Sequence, residues 1–79
     1  MKKFLTKTND YTSVDIVIEC ECYSHLLRVT KYTDEEEFTL MCYSCSLPEN
    51  ATEKNLMWDV ILNKKNAMEL ANSILEIYK

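Results

Sequence analysis

The chain has no glycine, one proline (Pro48) and one histidine (His25) in 79 residues. Without glycine there is no Gly-rich loop to bring backbone amides close to a phosphate, so phosphate-loop nucleotide chemistry is excluded. Every turn must be built from Asn, Asp, Ser and ordinary residues, without glycine's free access to positive φ. Long apolar runs are also missing. None approaches the roughly 20 residues needed to span a bilayer, and the opening MKKFLTKTND turns polar at Thr6 before a secretory core accumulates. The expectation is a cytoplasmic chain with no membrane association and with reduced cysteines. On that expectation the glycosylation-type match Asn50-Ala51-Thr52 is a chance one. Bases are scarce: nine Lys and Arg stand against thirteen Asp and Glu, a net charge of -4. That balance argues against direct nucleic-acid binding as the main activity and favours a basic partner.

What is present is a folded composition, 47% apolar and 28% charged, which reads as one domain over residues 1–79. A chain this short is near the lower limit for a single core without a metal, a disulfide or a partner subunit. Residues 1–12 show no sustained period and read as a frayed lead-in or an edge strand. From Val14 the period is two: Val14, Ile16, Ile18, Cys20 and Cys22 share one face, and Asp15, Glu19 and Glu21 the other. A tight reversal at Tyr23-Ser24 leads into a second strand, His25 to Tyr32, with Leu27 and Val29 on the buried face. After the turn Thr33–Glu36 a third strand carries Phe38, Leu40 and Cys42 on that face. Ser44 to Asn55 is a polar loop, and Leu56 to Leu62 a fourth strand centred on Trp58.

Asn63 is a good N-cap, and Ala67, Leu70, Ala71, Ile74, Leu75 and Tyr78 recur at helical spacing, so a helix is predicted from Lys64 to about Tyr78. The expected fold class is therefore α+β: a four-stranded antiparallel sheet in the order β-β-β-β-α, with the C-terminal helix packed on the face bearing Ile16, Ile18, Leu40 and Trp58.

The four cysteines allow two readings. A zinc site would draw on Cys22, His25, Cys42 and Cys45, and zinc would be the only cofactor. With Tyr23-Ser24 as a two-residue turn, Cys20 faces Leu27, and Leu27 in turn faces Cys42. That places the two thiols about 9 to 10 Å apart, too far for a disulfide. The alternative is buried free thiols at alternating strand positions, with no metal and no cofactor. A Cys22–His25 nucleophile pair would still lack an oxyanion site and an orienting group, so the expectation is no enzyme.

Two surfaces are candidates for a partner. On the face away from the helix the alternation places Val17, Leu26, Tyr32, Met41, Tyr43, Met57 and Ile61 beside Arg28, more apolar side chains than a solvated face needs. Leu26, Met41, Tyr43, Met57 and Ile61 are then contact residues for a homodimer or another protein, unless residues 1–12 fold back over them. Asp34, Glu35, Glu36 and Glu37 form an acidic corner. The plain reading is a solvated turn; the sharper one adds Glu19, Glu21, Glu49 and Glu53 and presents negative charge to a basic surface.

The Cys-x-Cys strand, the turn into His25-Leu26-Leu27, the acidic turn, the Trp58 strand and the terminal NKKNAMELANSILEI helix together resemble small accessory proteins of bacteriophages and mobile elements of low-GC bacteria. The resemblance implies a small, acidic, non-enzymatic protein that binds and disables one host protein, such as a bacterial-defence nuclease. The alternative function is a small zinc-stabilised structural or nucleic-acid adaptor module.

Overall fold

A computed structural model describes residues 1–19 and 21–79 and contains an antiparallel meander of five strands followed by one helix. The strands are β1 (Lys2–Lys7), β2 (Tyr11–Glu19), β3 (Ser24–Tyr32), β4 (Phe38–Tyr43) and β5 (Leu56–Leu62), side by side in chain order. The helix α1 runs Lys64–Glu76. The α+β class, the antiparallel sheet and the terminal helix agree with the sequence. The strand count does not: residues 2–7 pair along β2 from Lys2↔Val17 to Lys7↔Thr12, so the lead-in is an edge strand and the sheet has five strands, not four. Every residue of β1 is exposed, which is why no burial period marks it.

The β2–β3 reversal is longer than a two-residue turn. Ile18 pairs with His25 and Glu19 with Ser24, so Leu27 faces Ile16. The expected facing of Cys20 with Leu27 gives way to that pairing, and Cys20 itself lies outside the described residues. The next strand pair follows the sequence register, with Leu27 opposite Cys42 and Val29 opposite Leu40. None of the described residues has positive φ, so the glycine-free chain turns without the left-handed region throughout the part described.

The inward face is the reverse of the expected one. Val17 and Leu26 are 0% exposed and pack with Tyr43, while Met41, Cys45 and Ala51 close over them. These strand residues belong to the face expected to be free. The connection 44–55 covers it, held by two 3-10 turns at Pro48–Asn50 and Glu53–Asn55 and by the Ser44 amide donating to the Asn55 carbonyl at 2.8 Å. The same face carries a polar layer. Arg28 Nε and Nη2 donate to the two carboxylate oxygens of Asp15 at 2.7 and 2.9 Å, Nη2 also reaches the Pro48 carbonyl at 3.4 Å, and the guanidinium lies 5.3 Å from the centre of the Tyr43 ring. Beyond it Ser13 and Thr30 share a hydrogen bond of 3.0 Å.

The helix does not pack across the sheet. Asn63 caps it, its Oδ1 accepting from the Asn66 amide at 2.8 Å, but no residue of α1 is buried and β5 is the element it chiefly touches. Among the described residues no element therefore packs across the face bearing Val14, Ile16, Ile18, Leu27, Val29, Leu40, Trp58 and Val60. Trp58 is 47% and Val60 42% exposed, and among the described residues of that face only Cys42 is buried. The radius of gyration, 13.3 Å, exceeds the about 11.6 Å expected for a globular chain of this length.

Candidate partner-binding surface

The acidic corner is built by two turns tied together at one end of the sheet. In the β1–β2 turn Thr8 Oγ1 accepts from the Asp10 and Tyr11 amides at 3.2 and 3.1 Å, and the Thr8 amide donates to the Tyr11 carbonyl at 2.9 Å. A threonine hydroxyl so placed stabilises the turn by accepting from its backbone amides. In the β3–β4 turn the Glu35 amide donates to the Tyr32 carbonyl at 3.1 Å. Thr33 joins the two turns: its amide donates to the Asp10 carbonyl at 2.8 Å and its hydroxyl to the Asn9 carbonyl at 2.9 Å. Under the junction the Tyr11 and Tyr32 rings sit 5.9 Å apart, tilted by 59°.

This stitching brings Asp10 beside Asp34, Glu35, Glu36 and Glu37, a residue that the acidic run in the sequence does not reveal. All five are exposed, and none takes part in an ion pair among the described residues. The nearby Lys31 ammonium donates to the Tyr32 carbonyl at 3.2 Å. With Lys7 and Lys31 counted at the same end, these five carboxylates still give it the larger part of the net charge of -4. Glu19, Glu21, Glu49 and Glu53 are exposed as well, but they lie in or beside the connections elsewhere.

The apolar contact residues divide. Leu26 is fully buried and Tyr43 nearly so, both inside the chain's own core, which removes them from any docking surface. Met41 is half-buried, its sulfur accepting from the Tyr43 hydroxyl at 3.2 Å. Met57 and Ile61 are exposed on β5; Ile61 is opposite Thr39, close to the acidic turn, and Met57 is toward the other end. The reason for the split is the connection 44–55, whose Cys45 and Ala51 reach only the Tyr43 end of the face.

The candidate metal ligands are not brought together. Cys22 is exposed in the β2–β3 connection, and His25 pairs with Ile18 while its ring lies 6.2 Å from that of Tyr23. Cys42 shares a face with Leu27 and Trp58, whereas Cys45 packs against the opposite cluster of Val17, Leu26 and Tyr43. Among the described residues no three His, Cys, Asp or Glu side chains converge as a metal site would require. Burial pushes the Cys42 thiol above its ordinary pKa, and the proximity of Cys45 adds to the rise. Alkylation of the native protein should therefore modify the exposed Cys22 faster than the buried Cys42 by at least about tenfold in rate. Mass spectrometry of the digested products reads the order, and equal rates would place Cys42 in solvent.

A concavity of about 520 Å³ lies over the polar layer, between the Tyr11 and Tyr32 rings and the side chains of Thr6, Thr30 and Thr39. Its charged and hydroxyl groups already satisfy one another through Asp15–Arg28 and Ser13–Thr30. Among the described residues every buried side-chain nitrogen or oxygen has a hydrogen-bond partner. No helix of the described residues is long and apolar enough to cross a membrane. Comparison of the chain with protein-family models, with curated proteins and with solved structures finds no match.

Proposed function

We propose that this chain is a non-enzymatic binding protein that captures a basic surface on another protein through its acidic turn end, in the manner of an inhibitor that occupies a nucleic-acid-binding groove. The observation that carries this reading is the concentration of Asp10, Asp34, Glu35, Glu36 and Glu37 on two turns fixed to each other by Thr33. Like charges held close repel one another, and a fixed cluster that makes no ion pair among the described residues releases that repulsion when it meets a basic partner. The exposed Ile61 beside the corner supplies an apolar contact next to the charge.

The test uses a panel of purified nucleases and DNA-binding proteins with the chain immobilised. Capture should be competed by duplex DNA and should weaken as salt rises. Reversing Asp34, Glu35, Glu36 and Glu37 to lysine should weaken it by about tenfold or more, mainly through slower association. The four sites are exposed turn positions, so the circular dichroism spectrum should not change. Capture that survives the reversal, or that DNA does not compete, would remove the corner from the interface.

A further inference from the structure

The largest unassigned features are the bare sheet face and the bare helix. Val14, Ile16, Leu27 and Leu40, half-buried, and Trp58 and Val60, exposed, lie on one face across which no described element packs. Leu70, Ile74 and Leu75 form the apolar stripe of α1 and are 44%, 51% and 62% exposed, and Tyr78 just beyond its end is 84% exposed. We propose that this sheet face and this helix are two halves of an interface between two copies of the chain, the α1 stripe of each copy lying across the Trp58 face of the other.

Three quantities support a second copy as the occupant. The chain exposes 6357 Å², whereas a folded monomer of 9.3 kDa is expected to expose about 5,000 Å². The excess, roughly 1,400 Å² per chain, exceeds the roughly 800 Å² per partner of a standard interface and falls in the obligate-dimer range. The dimensions also match. Thirteen helical residues extend about 20 Å, and five strands span about 19 Å between the outer two. Finally, only Asn63 separates β5 from α1. It is held extended at φ -82° and ψ 171° and is tied to the Asn66 amide, so the connection has no slack to swing the helix over its own sheet.

The pairing is reciprocal. The helix of one copy meets the face of the other, the same contact is made a second time in the opposite sense, and the assembly closes at two. It stands independently of the acidic end, which lies on the turns and not on this face.

The full-length chain should show twice the 9.3 kDa chain mass by native mass spectrometry and light scattering at micromolar concentration. Its melting midpoint should rise with protein concentration, and Trp58 emission should shift to the red on dilution. Ile16→Asp on the sheet and Ile74→Asp on the helix should each weaken self-association by ~100-fold or more, since each would place an unpaired carboxylate in the contact. An equimolar mixture of the two variants should recover part of the dimer, because one intact helix then meets one intact face. A wild-type chain that stays at single-chain mass with a concentration-independent midpoint would overturn the proposal, whether the face is empty or reserved for a different protein. So would a dimer that tolerates both substitutions, or an assembly that grows beyond two copies. The concentration dependence of the wild type decides the matter even if a variant fails to fold.

Discussion

Replacing Arg28 with alanine should lower the unfolding free energy by about 3 kcal/mol, because it leaves the Asp15 carboxylate without its partner in the covered part of the sheet. The side chains of Arg28 and Asp15 are only 23% and 11% exposed, and the bond between them is two-pronged, so little of the interaction is screened by water. The hydrogen bonding of Arg28 to the Asp15 carboxylate is the main cause that raises the Arg28 pKa; burial opposes it, and the Asp15 charge reinforces it. Arg28 also holds the Pro48 carbonyl and lies against the Tyr43 ring, so the substitution loosens the connection 44–55 as well as the strand pair. For a domain of this size each 1 kcal/mol moves the melting midpoint by about 4 to 8 °C, so a fall of more than about 10 °C is expected. Asp15→Ala should cost a similar amount. The double variant Asp15→Ala with Arg28→Ala should be milder than the two single effects added together, since it leaves no charge unpaired. Additive losses in that cycle would mean that the two side chains act separately and that the pair does not organise this face.

That pair was hidden in the sequence by a slip of register rather than by any weakness of pattern. A two-residue turn at Tyr23-Ser24 sets Arg28 opposite Glu19 and Asp15 opposite Tyr32. The observed pairing, with Ile18 opposite His25, brings Asp15 and Arg28 face to face. Both registers keep every side chain on the same side of its strand, so the alternation of apolar residues could not tell them apart. Only the turn decides between them, and a chain without glycine offers none of the dipeptides that fix hairpin length. The β3–β4 register was legible because Asp34-Glu35 is a strong turn signal, and the helix was legible because its apolar stripe and its Asn63 cap agree.

The parity of burial was the harder question. Val14, Ile16, Ile18, Leu27 and Val29 make the more apolar face, and the rule that apolar residues go inward turns that face toward the helix. Within one chain the inward face is instead the mixed one, because the connection 44–55 folds over Val17, Leu26 and Tyr43 while α1 stays at β5. A second copy across the bare face would reconcile the pattern with the structure: period-two burial would then hold on both faces, with one covered from within the chain and one from outside it. The acidic end was half legible. Asp34–Glu37 stand out in the sequence, but Asp10 joins them only through the Thr33 bonds across two turns that lie far apart along the chain.

Leu26 and its neighbour Leu27 turn this account of the two faces into a second large effect. Leu26 is fully buried against Val17 and Tyr43, and Leu26→Ala should cost about 3 kcal/mol through lost burial and the cavity left behind. For a chain whose total stability is on the order of 4 to 12 kcal/mol, that is a large fraction. Urea denaturation should show it as a lower midpoint with an unchanged slope, and the loss should be the same at every protein concentration, because the cavity lies inside one chain. Leu27, one residue on, points to the other face opposite Ile16 and Cys42 and is half-buried within its own chain. Leu27→Ala should therefore cost about 1 kcal/mol at high dilution, for the part of the side chain already covered. With the bare face paired to a second copy, the loss should grow at higher concentration toward that of Leu26→Ala. Equal losses for the two leucines in very dilute solution would mean that each chain roofs both faces of its own sheet.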